Sequence, residues 1–222
     1  MESITQLLAR HGSVLLLDAS SSVVQVCLFA SGVLRAFEST EEAGVALFQA
    51  VEEVLAPPGM CLREVGAFAF CEGPGSVLGI RTSAVALRTW NTLHIRPAYA
   101  FGSLQLVATQ QLREGRPVPF SVIADARRDS WHRVQVDADA GISGLQRVRN
   151  EELSGPLLLP QPFRHWAPPP PQVEKVPYTV GAFLTGLCAE APLFRAAEEP
   201  DAFLHEDPVY KTWTPQVHRA PK

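Results

Sequence analysis

Three strand-like segments follow one another before the first helical pattern of the chain, and this order restricts the fold more than any other feature. In "SVLLLDASSSVVQVCLFASGVLRAFES", residues 14–17 form an unbroken apolar run, the mark of a strand buried on both faces. Residues 18–22 are turn formers. "VVQVCLFA" is a second strand, and Ser31-Gly32 turn the chain into a third, "VLRAF". A meander of this kind ahead of the first crossover does not fit a dinucleotide-binding unit, which alternates strand and helix from its start.

A helix over 40–55 comes next. Ser39 and Glu42 have capping-box spacing, and Leu47, Phe48, Val51, Val54 and Leu55 fall on one stripe. Pro57-Pro58-Gly59 ends it. "REVGAFAFCEG" supplies a fourth strand and leads into Gly73-Pro74-Gly75. Ser76 is a good N-cap for a helix over 76–93. "RPAYAF" is a fifth strand, and "GSLQLVATQQLRE" is a helix with Ser103 as candidate cap and Gly115 as stop. Beyond it, "FSVIADARRDSWHRVQV" reads as two strands around a charged turn and "GPLLLP" as a short buried strand. Four prolines at 168–171 lie in a surface loop, a short helix falls near 179–188, and a charged tail closes the chain. This order predicts an α/β protein of the two-lobed actin-like ATPase (ASKHA, ribonuclease H-like) fold, with mixed sheets flanked by helices. The lobes are expected at 12–101 and 102–222, with the C-terminal part packing back on the first.

The 222 residues, 46% of them hydrophobic, suffice for a real core. A formal net charge of -4 gives no global basic character, so contact with RNA is expected to be weak or to go through a more basic partner. Cys27, Cys61, Cys71 and Cys188 are scattered and read as reduced, buried thiols of a cytoplasmic protein. No signal peptide is apparent at the N-terminus, and no run approaches the ~20 apolar residues of a membrane span. His11, His94, His132, His165, His205 and His218 form no i, i+4 pair, so neither a metal site nor a cofactor is expected.

Three constellations carry chemistry. In "LLLDASSS", Asp18 and Ser20 stand either beside a metal-bound phosphate or in a tight turn that Asp18 caps. In "EGPGS", Gly73 and Gly75 allow close backbone approach and Ser76 opens a helix. That turn either cradles an anion or packs a strand tightly against a helix, and it lacks the lysine of a phosphate-binding loop. The charges of "DARRD" form either a solvated, self-paired cluster or an arginine contact with a phosphate or a partner's carboxylate.

These segments carry a resemblance. "EGPGSVLGIRTSAVALRTW" resembles the "GPGSFTGLRIG" segment of the TsaB (YeaZ) family. "LLLDASSSVVQVCLF", "FGSLQLVA", "ADARRDSWHRV" and "EDPVYKTW" are similar to its other landmarks, in the same order over nearly the whole chain. The resemblance implies a non-catalytic scaffold that acts with a TsaD-like enzyme and a TsaE-like ATPase to threonylcarbamoylate the adenosine next to the anticodon of tRNA. It implies contact with tRNA only through the complex, and a homodimer formed by the same face. A vestigial nucleotide site would comprise Asp18, Ser20, Gly73, Gly75 and Ser76, and the partner face Ala43, Leu47, Val77, Leu78, Arg81 and Val85. The sequence departs from the family at Ala19, at Val77-Leu78 and in the opening of the first helix, where "TEEAGVALFQ" replaces the usual "HS". The competing expectation is a nucleotide-binding ATPase or phosphotransferase of the same fold. Its second glycine loop is not convincing at Gly141 and Gly144 or at Gly181 and Gly186. A peptidase would lack its nucleophile, base and metal.

Overall fold

The computed structural model describes residues 1–30, 33–57 and 59–202. The Ser31-Gly32 turn, Pro58, His205, His218 and "EDPVYKTW" lie outside the described residues. The chain opens on α1 (Ile4–His11), a helix that the sequence reading left unassigned. Ser3 and Gln6 close a capping box around its start, Gly12 ends it at φ 74, and Ile4 and Leu7 are buried.

The expected meander follows as β1 (Ser13–Asp18), β2 (Val24–Ala30) and β3 (Val33–Ser39), antiparallel throughout. α2 (Ala43–Leu55) crosses to β4 (Ala67–Gly73), parallel to β1, and α3 (Val77–Leu93) crosses to β5 (Ala98–Gly102), parallel to β4. α2 lacks the expected capping box. Its N-cap is Glu42 with no side-chain bond, because the Ser39 hydroxyl accepts from Glu41 N one turn too early. α4 (Ser103–Arg113) begins directly after β5, so Ser103 is its first helical residue and Gly102 its cap; Gly115 at φ 83 follows its end.

The second sheet begins with β6 (Phe120–Asp125), β7 (Ser130–Val136) and β8 (Gln146–Arg149), again an antiparallel meander. β9 (Leu157–Gln161) is parallel to β6, and β10 (Glu174–Pro177) is parallel to β9. α5 (Val180–Thr185) and β11 (Arg195–Ala196) complete the described chain, with β11 returning to pair with β5. The sheet orders are β11-β5-β4-β1-β2-β3 and β10-β9-β6-β7-β8. Strand for strand, the first five of each lobe pair in the same way. This duplicated topology is that of the actin-like ATPase fold. The lobes differ in their crossovers: residues 150–156 and 162–173 stand where the first lobe has α2 and α3, and contain only one short 3-10 turn.

Side-chain alternation along β1 shows why its sequence reads as a continuous apolar run. Leu15 and Leu17 join α2 and α3 in one cluster; Val14 and Leu16 join α1, α4, α5 and the inner face of the second sheet in another. α4 lies between the sheets, with Leu104, Leu106, Val107 and Ala108 all fully buried, and a helix apolar around most of its circumference belongs in such a place. Three of the four cysteines are buried, but Cys61 is exposed, outside the strands that cover Cys27 and Cys71. Because one core spans both sheets, Leu104→Ala should cost about 2–5 kcal/mol and lower one common unfolding transition. Denaturant melts followed by far-UV circular dichroism and by tryptophan fluorescence should coincide, and separate transitions would mean that the lobes unfold independently.

Candidate functional site

The first lobe's candidate site lies where β1 and β4 end. Asp18 closes β1 and is completely buried. Its Oδ1 accepts from Ser20 N at 2.7 Å, and its Oδ2 accepts from the Tyr178 hydroxyl. Tyr178 comes from the segment between β10 and α5, which Gln25 fixes in place. The Gln25 side chain accepts from Val180 N at 2.9 Å and donates to Tyr178 O at 3.3 Å. Both carboxyl oxygens of Asp18 are thus engaged. Tyr178 escaped the sequence reading because it stands 160 residues from Asp18 and no local pattern marks it.

The Gly-rich turn packs on the same spot. Ser76 N donates to Ser20 O at 2.7 Å, and Ser76 Oγ caps α3 by accepting from Gly79 N at 3.3 Å. A Cβ on Gly75 would stand 2.2 Å from Ser20 O, and one on Gly79 would stand 2.1 Å from Ala19 O. Gly73 and Gly75 have φ 119 and 154, and Ser103 Oγ holds Pro74 O from the far side at 2.7 Å. Asp18, Ser20, Gly73, Gly75 and Ser76 are therefore brought together, with Gly75 against backbone and Gly73 against the Ile80 side chain. Two amide groups that an anion would need, on Ser76 and Gly79, are already used. Burial is the largest influence on Asp18 and pushes its carboxyl above the usual range; the Tyr178 and Ser20 bonds oppose this without cancelling it. Outside this contact lies a cleft of about 340 Å³ between the β1–β2 turn and the starts of α2 and α3, with Glu41, Glu42, Thr82 and Arg164 in its wall.

The second candidate is the outer face of α2 and α3. Leu78 is 78% exposed, and Val77 and Val85 are about half exposed. Arg81 is exposed beside them and Ala43 is half-buried. Leu47 does not belong to this face, since it is fully buried against the first sheet. Its sequence neighbour Phe48 and Val45, 61% exposed, turn outward instead. Leu78, Thr82, Val85 and Thr89 follow i, i+4, i+7, i+11 spacing along one stripe of α3. Thr82 and Thr89 donate their hydroxyls to the carbonyls of Leu78 and Val85 at 2.9 and 2.8 Å, which leaves their methyls to the surface. Phe48 meets Trp90 edge-on, with ring centroids 6.2 Å apart, at the border of an apolar groove that continues to Leu55 and Met60.

The "DARRD" charges are not self-paired. Asp125 spends its carboxylate on backbone, taking Arg127 N at 2.6 Å, Trp166 N at 2.6 Å and Ala167 N at 2.9 Å. Among the described residues no three His, Cys, Asp or Glu side chains gather as metal ligands, and no helix is long and apolar enough to cross a membrane.

Residues 40–142, a little under half of the chain, match the family model of TsaD, tRNA N6-adenosine threonylcarbamoyltransferase. Among solved structures, the chain is similar to YeaZ from Pseudomonas aeruginosa, with a TM-score of 0.58 and 22% identity over 67% of this chain and 75% of that one. It is also similar to an uncharacterized protein described as having similarity to peptidase YEAZ from Pseudomonas aeruginosa. That TM-score is 0.66, with 19% identity over 88% of this chain and all of the other. No curated protein sequence matches. The duplicated sheets define a protein of the actin-like ATPase fold. Within that fold the chain is similar to the two YeaZ-type structures and, over residues 40–142, to the TsaD family model.

Two outcomes follow from the closed turn. Gly75→Ala should destabilise the fold by about 2 kcal/mol or more, through the clash with Ser20 O and the unfavourable φ, read as a drop in urea midpoint. Asp18 holds its proton to higher pH folded than unfolded, so its stabilising contribution is lost as pH rises from about 3.9 through its folded pKa. Asp18→Asn should therefore match the parent near pH 4 and gain on it as pH is raised toward about 8. A variant that instead falls progressively behind the parent with rising pH would show that the ionised carboxylate is the stabilising form.

Proposed function

We propose that the chain is a non-catalytic subunit that pairs, through the outer face of α2 and α3, with a TsaD-like enzyme in threonylcarbamoylation of the adenosine next to the tRNA anticodon. The observation that carries this reading is the contrast between two surfaces of the first lobe. At the strand ends, where an ATPase of this fold would hold its nucleotide, Asp18 is sealed under Tyr178 and Gly75 and Gly79 rest on backbone. On the flank, Val45, Phe48, Val77, Leu78 and Val85 expose apolar surface on two adjacent helices. Such a patch marks an interaction site. Two helices meeting two from a partner make a four-helix contact, and the same geometry allows a twofold homodimer. The match of residues 40–142, which include α2 and α3, to the TsaD family model supports a partner of related fold. In this reading the protein works in the cytoplasm, a TsaE-like ATPase completes the assembly, and the lobes at 12–101 and 102–222 divide partner pairing from the remaining contacts.

Leu78→Glu and Val85→Glu place a charge in the middle of the α3 stripe without touching the core. Each should weaken binding to the organism's TsaD-like protein by about tenfold or more and shift any dimer toward monomer. Light scattering and titration calorimetry read the two effects. Folded variants that keep both the parent's mass and its partner affinity would show that this face is not the interface.

A further inference from the structure

The duplicated topology makes the β6–β7 turn the second lobe's counterpart of the Asp18 turn, and the β9–β10 crossover the counterpart of the Gly-rich turn. The parallel extends to detail, because Asp125 Oδ1 accepts from the amide two residues on, as Asp18 Oδ1 does. What the second pair of segments presents is different. Arg127, Arg128 and Asp129 have φ 61, 52 and 55, three successive non-glycine residues in the left-handed region, an arrangement of the kind stored at ligand clamps. Ser130 Oγ donates to Arg127 O at 2.6 Å, and Arg147 reaches Ser130 Oγ and Ala126 O at 2.9 and 3.2 Å, bracing the turn from behind. The Arg127 guanidinium lies over the Trp166 ring, 4.3 Å from its centroid, yet that tryptophan remains 61% exposed. Asp125 already ties the two loops together through the amides of Trp166 and Ala167, so their connection does not depend on the stack. Among the described residues Arg128 has no carboxylate partner within ion-pair distance, and Arg149 stands at the same end of the sheet, opposite Ser130.

We propose that Trp166, Arg127 and Arg128 form a contact site for single-stranded RNA, with an unstacked base against the open ring surface and adjacent phosphates on the arginine side chains. A flat π surface beside guanidinium forks is what an unpaired nucleotide needs. An acidic peptide would use the arginines and leave the ring idle. Aromatic platforms accept any base, and the braced turn holds the arginines outward before the ligand arrives. The site goes beyond the pairing proposed above and lies in the other lobe, so the two fail separately. Leu78→Glu should leave RNA binding intact.

The test uses the isolated full chain and a labelled single-stranded RNA of about 12 nucleotides, followed by fluorescence anisotropy at about 50 and 200 mM salt. The parent chain should bind, and Trp166→Ala should weaken binding about tenfold while Trp166→Phe retains most of it. Arg128→Ala, which removes no side-chain hydrogen bond or ion pair among the described residues, should lower the salt slope by roughly 0.7. Neither ATP nor polyglutamate should displace the RNA. An RNA left free at about 100 μM chain, far above the range of a useful contact, overturns the proposal. So does parental binding and salt slope in both Trp166→Ala and Arg128→Ala, or equal displacement by ATP, which would make the site one for free nucleotides. Equal displacement by polyglutamate would assign it to an acidic protein segment instead.

Discussion

The close approach of two backbones, Gly75 and Gly79 on one side and Ala19 and Ser20 on the other, governs the first lobe. Hydrogen atoms stand where side chains would collide with carbonyl oxygens. This contact seats the first turn of α3 on the end of β1, and the Ser20 carbonyl then takes Ser76 N. Once that end is fixed, Ile80, Ala84 and Leu87 turn inward while Leu78 and Val85 turn out. The same Gly-rich element that wraps a phosphate in other folds here wraps a peptide. Closure of the strand ends and exposure of the helix flank are thus two consequences of one packing decision.

The lobes share strand pairing but not crossovers, and this asymmetry accounts for their unequal cores. In the first lobe, α2 and α3 cover one sheet face with a large cluster. In the second, among the described residues, the corresponding face carries the smaller cluster of Ile123, Trp131, Val148, Leu157 and Leu159, with the loop residues Leu153 and Val173 against it. The second sheet therefore depends on its inner face, where Phe120, Val122, Val134 and Val136 meet α4 and the first lobe in the common cluster. Loops also leave side chains exposed that helices would have committed to packing, and Trp166 is one of them.

What the sequence disclosed follows from how locally each feature is determined. β1 was legible because its centre, Val14 to Leu17, is buried on both faces and apolar at every position, and α3 because Ser76 caps it with its own hydroxyl. α1 was missed although "SITQ" holds a complete capping box, since its eight residues make too short a periodic stretch to stand out. β8, β10 and β11 were missed because strands of two to four residues have no measurable alternation. Leu47 and Phe48 differ by 100° around α2, and only the direction of approach to the sheet decides which one is core. Tyr178 over Asp18 was beyond reach, because a contact across 160 residues leaves no mark on either neighbourhood.

Asp18 and Asp125 show how far a local turn can determine chemistry. Both end the first strand of a lobe, and both accept the amide two residues ahead. Burial is the largest influence on each and pushes both pKa values up. At Asp18 burial prevails, because only Tyr178 and Ser20 oppose it. At Asp125 the amides of Ala167, Arg127 and Trp166, with His165 nearby, outweigh a lesser burial and hold the carboxyl below its usual range. One turn consequently carries a carboxyl group sealed beneath a phenol, and the other carries a carboxylate that spends itself on backbone and, among the described residues, forms no ion pair with Arg127 or Arg128. The turn sequence sets the first hydrogen bond. What packs over the turn, a buried tyrosine in one lobe and the 166–167 segment with its exposed Trp166 in the other, decides whether the site is closed or available.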